Sequence, residues 1–280
     1  MPIFRTRFVQ GLVGTSIGLS CLCCAQGPTG PKGDPWRFLP GTVVSFSYPA
    51  FRAGRQCWIY LPPSYAQSDR RYPVLYLNDG ETAFDAEYGM HVGRICEDLI
   101  RRGEIESIIV VAIESAGQRT LDYTPWPASY WQPNGGGDLY LRAIRDTLKP
   151  EVDGRFRTLQ DPRNTAIAGS SLGGLISVYA AYAYDSTFGK VAGFSPSYGY
   201  AGGAILTFAS GRGRPPLLTR FYQDTGFPDD NPIGGMEEIA ISQGFVLGAD
   251  FMSLRAIGGE HSAASWEHRF PDMLRFLFPP

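Results

Sequence analysis

Short apolar runs alternate with amphipathic segments from residue 41 onward. Residues 41–47 and 56–61 read as two strands joined by a turn near Arg52-Ala53-Gly54, and Pro62-Pro63-Ser64-Tyr65 stops the second. Val74-Leu75-Tyr76-Leu77 and Ile108-Ile109-Val110-Val111-Ala112-Ile113 are continuously apolar, as in strands buried on both faces. Between them Ile95, Leu99 and Ile100 form a helical stripe, and Leu139, Leu141, Ile144 and Leu148 form a second, expected to end at Pro150. Residues 165–168, 191–194, 221–223 and 251–257 read as further strands, and 175–181, 236–245 and 263–278 as further helices. The alternation predicts an α/β fold: a mostly parallel central sheet covered by helices on both faces, with the first two strands as an antiparallel edge.

The first 40 residues follow a different pattern. Arg5 and Arg7 precede an apolar, small-residue run from Phe8 to Cys24, which reads as a secretory signal over residues 1–25 with cleavage after Ala25. The run is too short for a stable membrane span. Cys21, Cys23 and Cys24 raise the alternative of a lipoprotein signal, whose preceding residues fit poorly. Residues 26–40 are rich in glycine and proline and read as a linker. One domain is expected over 41–280, in a secreted or periplasmic protein. Cys57 and Cys96 remain beyond the signal; they either pair in an oxidising compartment or are two separate buried thiols.

Composition narrows the chemistry. A chain of 280 residues with 44% hydrophobic and 19% charged residues is long enough for one substantial core. A formal net charge of −2 gives no reason to expect a nucleic-acid partner. The sequence contains no zinc-type Cys/His spacing, phosphate-binding loop or dinucleotide fingerprint, so neither metal nor cofactor is expected.

Gly169-Ser170-Ser171-Leu172-Gly173-Gly174 supplies the chemistry. It places G-x-S-x-G between a strand and a helix, the setting in which a sharp turn exposes a nucleophilic serine, here Ser171. A serine hydroxyl needs a base. Of the three histidines, His91 and His268 lie in helical surroundings and read as surface or capping residues. His261, in Gly258-Gly259-Glu260-His261-Ser262, follows the last strand and has the right order relative to Ser171. The acid is expected between them, in Phe221-Tyr222-Gln223-Asp224-Thr225-Gly226-Phe227-Pro228-Asp229-Asp230. Asp229 is the first choice, Asp230 the second and Asp224 the third, because Asp224 sits where the strand would hold it. Oxyanion donors are expected at the Leu172 N–H and, from the loop after the 74–77 strand, at the Glu81 N–H with Gly80 as fallback.

The long irregular stretch 115–136 carries Tyr123, Trp126, Tyr130 and Trp131. Loops of this length after a central strand serve ligands or cover the core, and these two readings are compatible. Tyr123, Trp126, Trp131 and Trp266 suggest an aryl or sugar-bearing substrate, although Trp266 equally suits core packing.

With these residues in view, the chain resembles the esterase family of α/β-hydrolases that includes esterase D, enterochelin-esterase-like proteins, feruloyl and acetylxylan esterases, and mycolyltransferases. The resemblance runs from about Gly41 to the C-terminus. It is carried by Tyr72-Pro73-Val74-Leu75-Tyr76-Leu77-Asn78-Asp79-Gly80, by Arg119 with Asp122-Tyr123-Thr124-Pro125, by the Ser171 block with Phe194-Ser195-Pro196-Ser197, and by Gly259-Glu260-His261 with Trp266. It implies catalytic roles for Ser171 and His261, supports Asp229, and implies substrate binding around Arg119. Many relatives carry Glu where two aspartates compete here. The expected activity is carboxylic ester hydrolysis by a Ser-His-Asp triad on a small-molecule or carbohydrate ester, of aryl, acyl-sugar or siderophore type. Acyl transfer to a sugar or lipid alcohol is the alternative from the same family, and a catalytically inactive binding protein is the alternative from another class.

Overall fold

The computed structural model describes residues 42–48, 54–84, 89–127, 135–228 and 232–280, the first of these segments as backbone only. The expected signal and linker, together with Tyr130, Trp131, Asp229 and Asp230, lie outside the described residues.

Among the described residues eight strands form one sheet: β1 (Thr42–Tyr48), β2 (Arg55–Leu61), β3 (Val74–Asn78), β4 (Ile109–Ile113), β5 (Thr165–Ser170), β6 (Lys190–Phe194), β7 (Arg220–Phe227) and β8 (Phe251–Ile257). Their order is β1-β2-β4-β3-β5-β6-β7-β8. β2 pairs antiparallel with β1 and β4, and every other pairing is parallel, so the antiparallel edge and the parallel body are both as expected. Strands β3 to β6 are buried at every position, which accounts for their continuous apolar runs.

Two-residue periodicity sends alternate side chains to two separate cores. On one face Tyr76, Val111, Ile167 and Phe221 pack with α4 (Gly137–Ala143), α5 (Lys149–Arg155), α6 (Leu172–Ala183), α7 (Ala204–Arg212) and α8 (Gly234–Ser242). On the other, Leu75, Leu77, Ala168 and Tyr222 pack with α2 (Val92–Arg101) and α9 (Ala263–Leu277). Cys57 belongs to the first core and Cys96 to the second, and both thiols are free and buried. The sheet lies between them, so the two-thiol alternative is the correct one.

Three local expectations change. The helical stripe does not end at Pro150. A π turn over Ile144–Leu148 joins α4 to α5, with Lys149 N–H reaching back to Ile144 O, and Pro150 falls in the first turn of α5, where a missing N–H is tolerated. Leu139 is 53% exposed, so the stripe that meets the core is Tyr140, Leu141, Ile144, Leu148 and Val152. α7 was not legible in the sequence, because only Ile205 and Ala209 of its nine residues are buried and no apolar period marks it. Among the described residues no helix is long and apolar enough to cross a membrane.

Candidate active site

Parallel strands deliver their carboxyl ends to one edge of the sheet. Register fixes which residues arrive together: Leu77 stands opposite Ala168, Ser170 opposite Phe194, Phe194 opposite Asp224, and Phe227 opposite Ile257. The segments after β3, β5, β6, β7 and β8 therefore meet at this edge, where open α/β sheets bind ligands.

Ser171 occupies the turn from β5 into α6 with φ 56° and ψ −117°, a conformation that costs a non-glycine residue about 1–3 kcal/mol and is found at functional sites. The surroundings hold it there. Ser171 N–H donates to Phe194 O at 2.8 Å, and Ser171 O accepts from Leu175 N–H and Ser197 N–H, each at 3.0 Å. The turn closes so tightly that a Cβ on Gly169 would lie 2.7 Å from the Gly173 carbonyl. The Ser171 side chain is half-buried, and its hydroxyl shares a hydrogen bond with the Ser197 hydroxyl at 3.2 Å. Ser197 belongs to the Phe194-Ser195-Pro196-Ser197 block that the resemblance groups with Ser171, and the pairing of β5 with β6 brings the two together. Leu172 opens α6, so its N–H has no acceptor within the helix.

The β3 end faces this turn. Asp79 is left-handed at φ 58°, and α1 (Gly80–Ala83) begins immediately after it. A Cβ on Gly80 would come within 2.7 Å of the Ala112 carbonyl carbon and the Ile113 nitrogen, so only glycine lets the loop cross β4 this closely. The Glu81 carboxylate turns away to accept from Ser115 N–H at 2.9 Å and from the Ser115 hydroxyl, while its N–H lies in the first turn of α1.

His261 is exposed and sits between Gly258, at φ 76°, and Ser262, which caps α9 by accepting Ser265 N–H at 3.3 Å. Its ring stands edge-on to Trp266 at 5.1 Å between centroids. Trp266 donates its indole N–H to Ser195 Oγ at 3.4 Å. A chain of contacts thus runs from His261 through Trp266 to the segment after β6 that also touches Ser171. The other histidines behave as expected: His91 stands at the start of α2 with Nδ1 2.8 Å from Glu267, and His268 is an exposed residue of α9.

The candidate acids separate. Asp224 is fully buried within β7; its Oδ2 accepts from the Tyr222 hydroxyl at 2.8 Å, and its Oδ1 lies 3.4 Å from Arg269 Nε. Burial pushes its carboxyl up to about 6 against the opposing Arg269 charge and the hydrogen bond from Tyr222. Tyr222 thus engages one carboxylate oxygen, and the other lies beside Arg269 without a hydrogen-bond partner, so the side chain is held inside the sheet. The β7 and β8 ends touch: a Cβ on Gly226 would lie 2.4 Å from Gly259 O. The segment that leads to Asp229 and Asp230 therefore leaves the sheet against the one that leads to His261.

The aromatic candidates also separate. Tyr123 is fully buried, its hydroxyl accepts Asp79 N–H at 3.0 Å, and its ring packs edge-on against Tyr140. It supports the β3 end from beneath. Trp126 is half-buried and meets Tyr179 of α6 and Phe208 of α7 edge-on, at 5.3 and 5.6 Å. Arg119, on α3 (Arg119–Asp122), directs Nε and Nη2 to Asp79.

This strand order, with a serine on the turn after β5, defines an α/β-hydrolase. The family described as "Putative esterase" matches residues 50–221, and the chain belongs to it. Uncharacterized protein YbbA of Bacillus subtilis is 31% identical over 155 residues, 54% of this chain and 60% of that protein. The ferri-bacillibactin esterase BesA of the same organism is 28% identical over 177 residues, 57% of this chain and 59% of its own length. The chain thus spans about three-fifths of these two curated relatives. The BES protein of Bacillus cereus superposes with a TM-score of 0.69 at 20% identity, over 85% of this chain and 95% of that one, a likeness of fold.

Proposed function

We propose that this protein is a serine carboxylic ester hydrolase acting through an acyl-enzyme. The observation that carries the reading is Ser171, held at φ 56° on the β5–α6 turn beside a helix-initial amide. Ser171 Oγ attacks the ester carbonyl as His261 takes its proton. The oxyanion forms between the Leu172 and Glu81 N–H groups, each such donor contributing about 3–4 kcal/mol in comparable sites. His261 then protonates the departing alcohol. In the second half, His261 deprotonates a water that attacks the acyl carbon and frees Ser171. Asp229 is the acid in this reading, accepting the imidazole N–H and stabilising the imidazolium. The contact of Gly226 with Gly259 supports it, because it starts the two loops side by side.

The substrate class best supported is a small ester with an aromatic acyl group. Trp266 packs against His261 and Trp126 against Tyr179 of α6, the helix that Ser171 precedes, and the relative BesA is a ferri-bacillibactin esterase. Trp131 belongs to the same proposal through its place in the loop that carries Trp126. Residues 1–25 act as an export signal and 26–40 as a linker to one hydrolase domain over 41–280. Turnover of aryl esters, catechoyl esters and feruloyl esters by the wild type and by Ser171→Ala tests the reading. Activity that survives in Ser171→Ala would refute it.

A further inference from the structure

We propose that Arg119 is a positioning residue: with Asp79 it clamps the β3–α1 loop to the carbonyl preceding Ser171 and so fixes the separation of the two oxyanion donors. The proposal rests on the ester-hydrolase reading above and assigns the hydrolase a device outside its triad.

The guanidinium makes a bidentate pair with Asp79, Nε to Oδ1 at 2.8 Å and Nη2 to Oδ2 at 2.9 Å. The same Nη2 donates to Ser170 O at 3.1 Å. One planar group therefore joins the ends of two strands. Each proposed donor lies two residues beyond one arm of this link, Glu81 beyond Asp79 and Leu172 beyond Ser170. Movement of either arm would change the distance between the two amides.

Neighbouring contacts brace the same joint. Asp79 N–H donates to the buried Tyr123 hydroxyl at 3.0 Å, which helps to hold Asp79 at its positive φ. Arg119 itself lies over the Tyr123 ring, 5.5 Å from its centroid. Asn78, one residue earlier, donates from Nδ2 to Gly173 O at 3.2 Å and to Ser177 Oγ at 3.0 Å, and accepts from the Tyr140 hydroxyl at 2.5 Å. Asn78 thus ties β3 to the first turn of α6 from one side while Arg119 ties it to the end of β5 from the other. A lysine could replace the charge but not the fork, since bidentate geometry and the third contact both need the guanidinium plane. These contacts turn the guanidinium toward the protein's own backbone, which is why Arg119 acts on the oxyanion amides and not on the substrate.

The test is steady-state kinetics with an aryl acyl ester, together with inhibition by an arylboronic acid, which adds to a catalytic serine as a tetrahedral mimic. Arg119→Met is expected to lower kcat about 10–100-fold, with KM changed less than about twofold, and to weaken boronate inhibition by the same factor as kcat. Arg119→Lys is expected to fall between. Asp79→Asn should match Arg119→Met, and the double variant should lose no more than the worse single one, because the two act as a unit. A rise in KM at unchanged kcat would make Arg119 a substrate contact and overturn the proposal. So would an unchanged boronate affinity, or losses that add. If Arg119→Met does not fold, Arg119→Lys supplies the same readouts. Ser171→Ala run in parallel separates the two levels: residual activity there removes the hydrolase reading itself, whereas its absence leaves only the clamp under test.

Discussion

Arg269 and Asp224 lie side by side in the interior, guanidinium Nε 3.4 Å from carboxylate Oδ1, at 6% and 0% exposure. Tyr222 and Asp272 are the other titratable groups acting on this carboxyl. Its folded value of about 6 stands above the ordinary 3.8, so burial favours the protonated form. The stability that Asp224 contributes is fully present below 3.8 and is lost as pH rises through 6. Asp224→Asn removes this titration while keeping the shape. The melting temperature of the variant minus that of the wild type is therefore expected to increase from about pH 4 to about pH 7. A flat difference would contradict it.

The Arg269 end of this pair reaches the site through Ser195, whose hydroxyl accepts from Arg269 Nη2 at 3.2 Å and from Trp266 Nε1 at 3.4 Å. Trp266 in turn packs against His261. Trp266→Ala is expected to lower kcat about tenfold by letting the imidazole leave its productive orientation, and Trp266→Phe to lower it less, because the ring edge is retained. Equal losses in the two variants would show that the indole N–H, not the packing, holds the histidine.

The acid is assigned by comparing three single amides. Asp229→Asn is expected to lower kcat by about 10⁴-fold, the scale of losing the group that sets the imidazole tautomer. Asp230→Asn and Asp224→Asn should fall far short of that. A loss of that size in Asp230→Asn with Asp229→Asn near wild type would move the role by one residue.

Much of this site was legible in the sequence because its signals are local. Ser171 announces itself through glycines that a tight turn demands, and His261 follows from its position after the last strand. Asp224 directly follows residues 221–223, which read as a strand, and the structure buries it within β7. Other features are tertiary and leave no local mark. Tyr123 and Trp126 sit three residues apart in one loop, yet one is fully buried under Asp79 and the other half-buried beside α6. No local pattern separates them. Pro150 looked like a helix stop because the π turn that accommodates it leaves no mark in residue types. Ser197 meets Ser171 only because β5 and β6 pair in this register.

Cys57 and Cys96 illustrate the same limit, since spacing does not say whether they meet. Desolvation pushes the Cys57 thiol up to about 12 and raises Cys96 well above its ordinary range. Thiolate is the reactive form, so neither should react. Alkylation of the native protein followed by peptide mass spectrometry is expected to leave both unmodified, with labelling only after unfolding. Modification of either under native conditions would contradict their burial.

Everything proposed for catalysis depends on Ser171 forming a covalent acyl-enzyme. The most direct measurement is peptide mass spectrometry after reaction with a fluorophosphonate, in parallel with hydrolysis of an aryl ester. One adduct on Ser171, appearing in proportion to lost activity and absent in Ser171→Ala, is the predicted result. Full activity after labelling, or inactivation with the adduct on another residue such as Ser197, would contradict it.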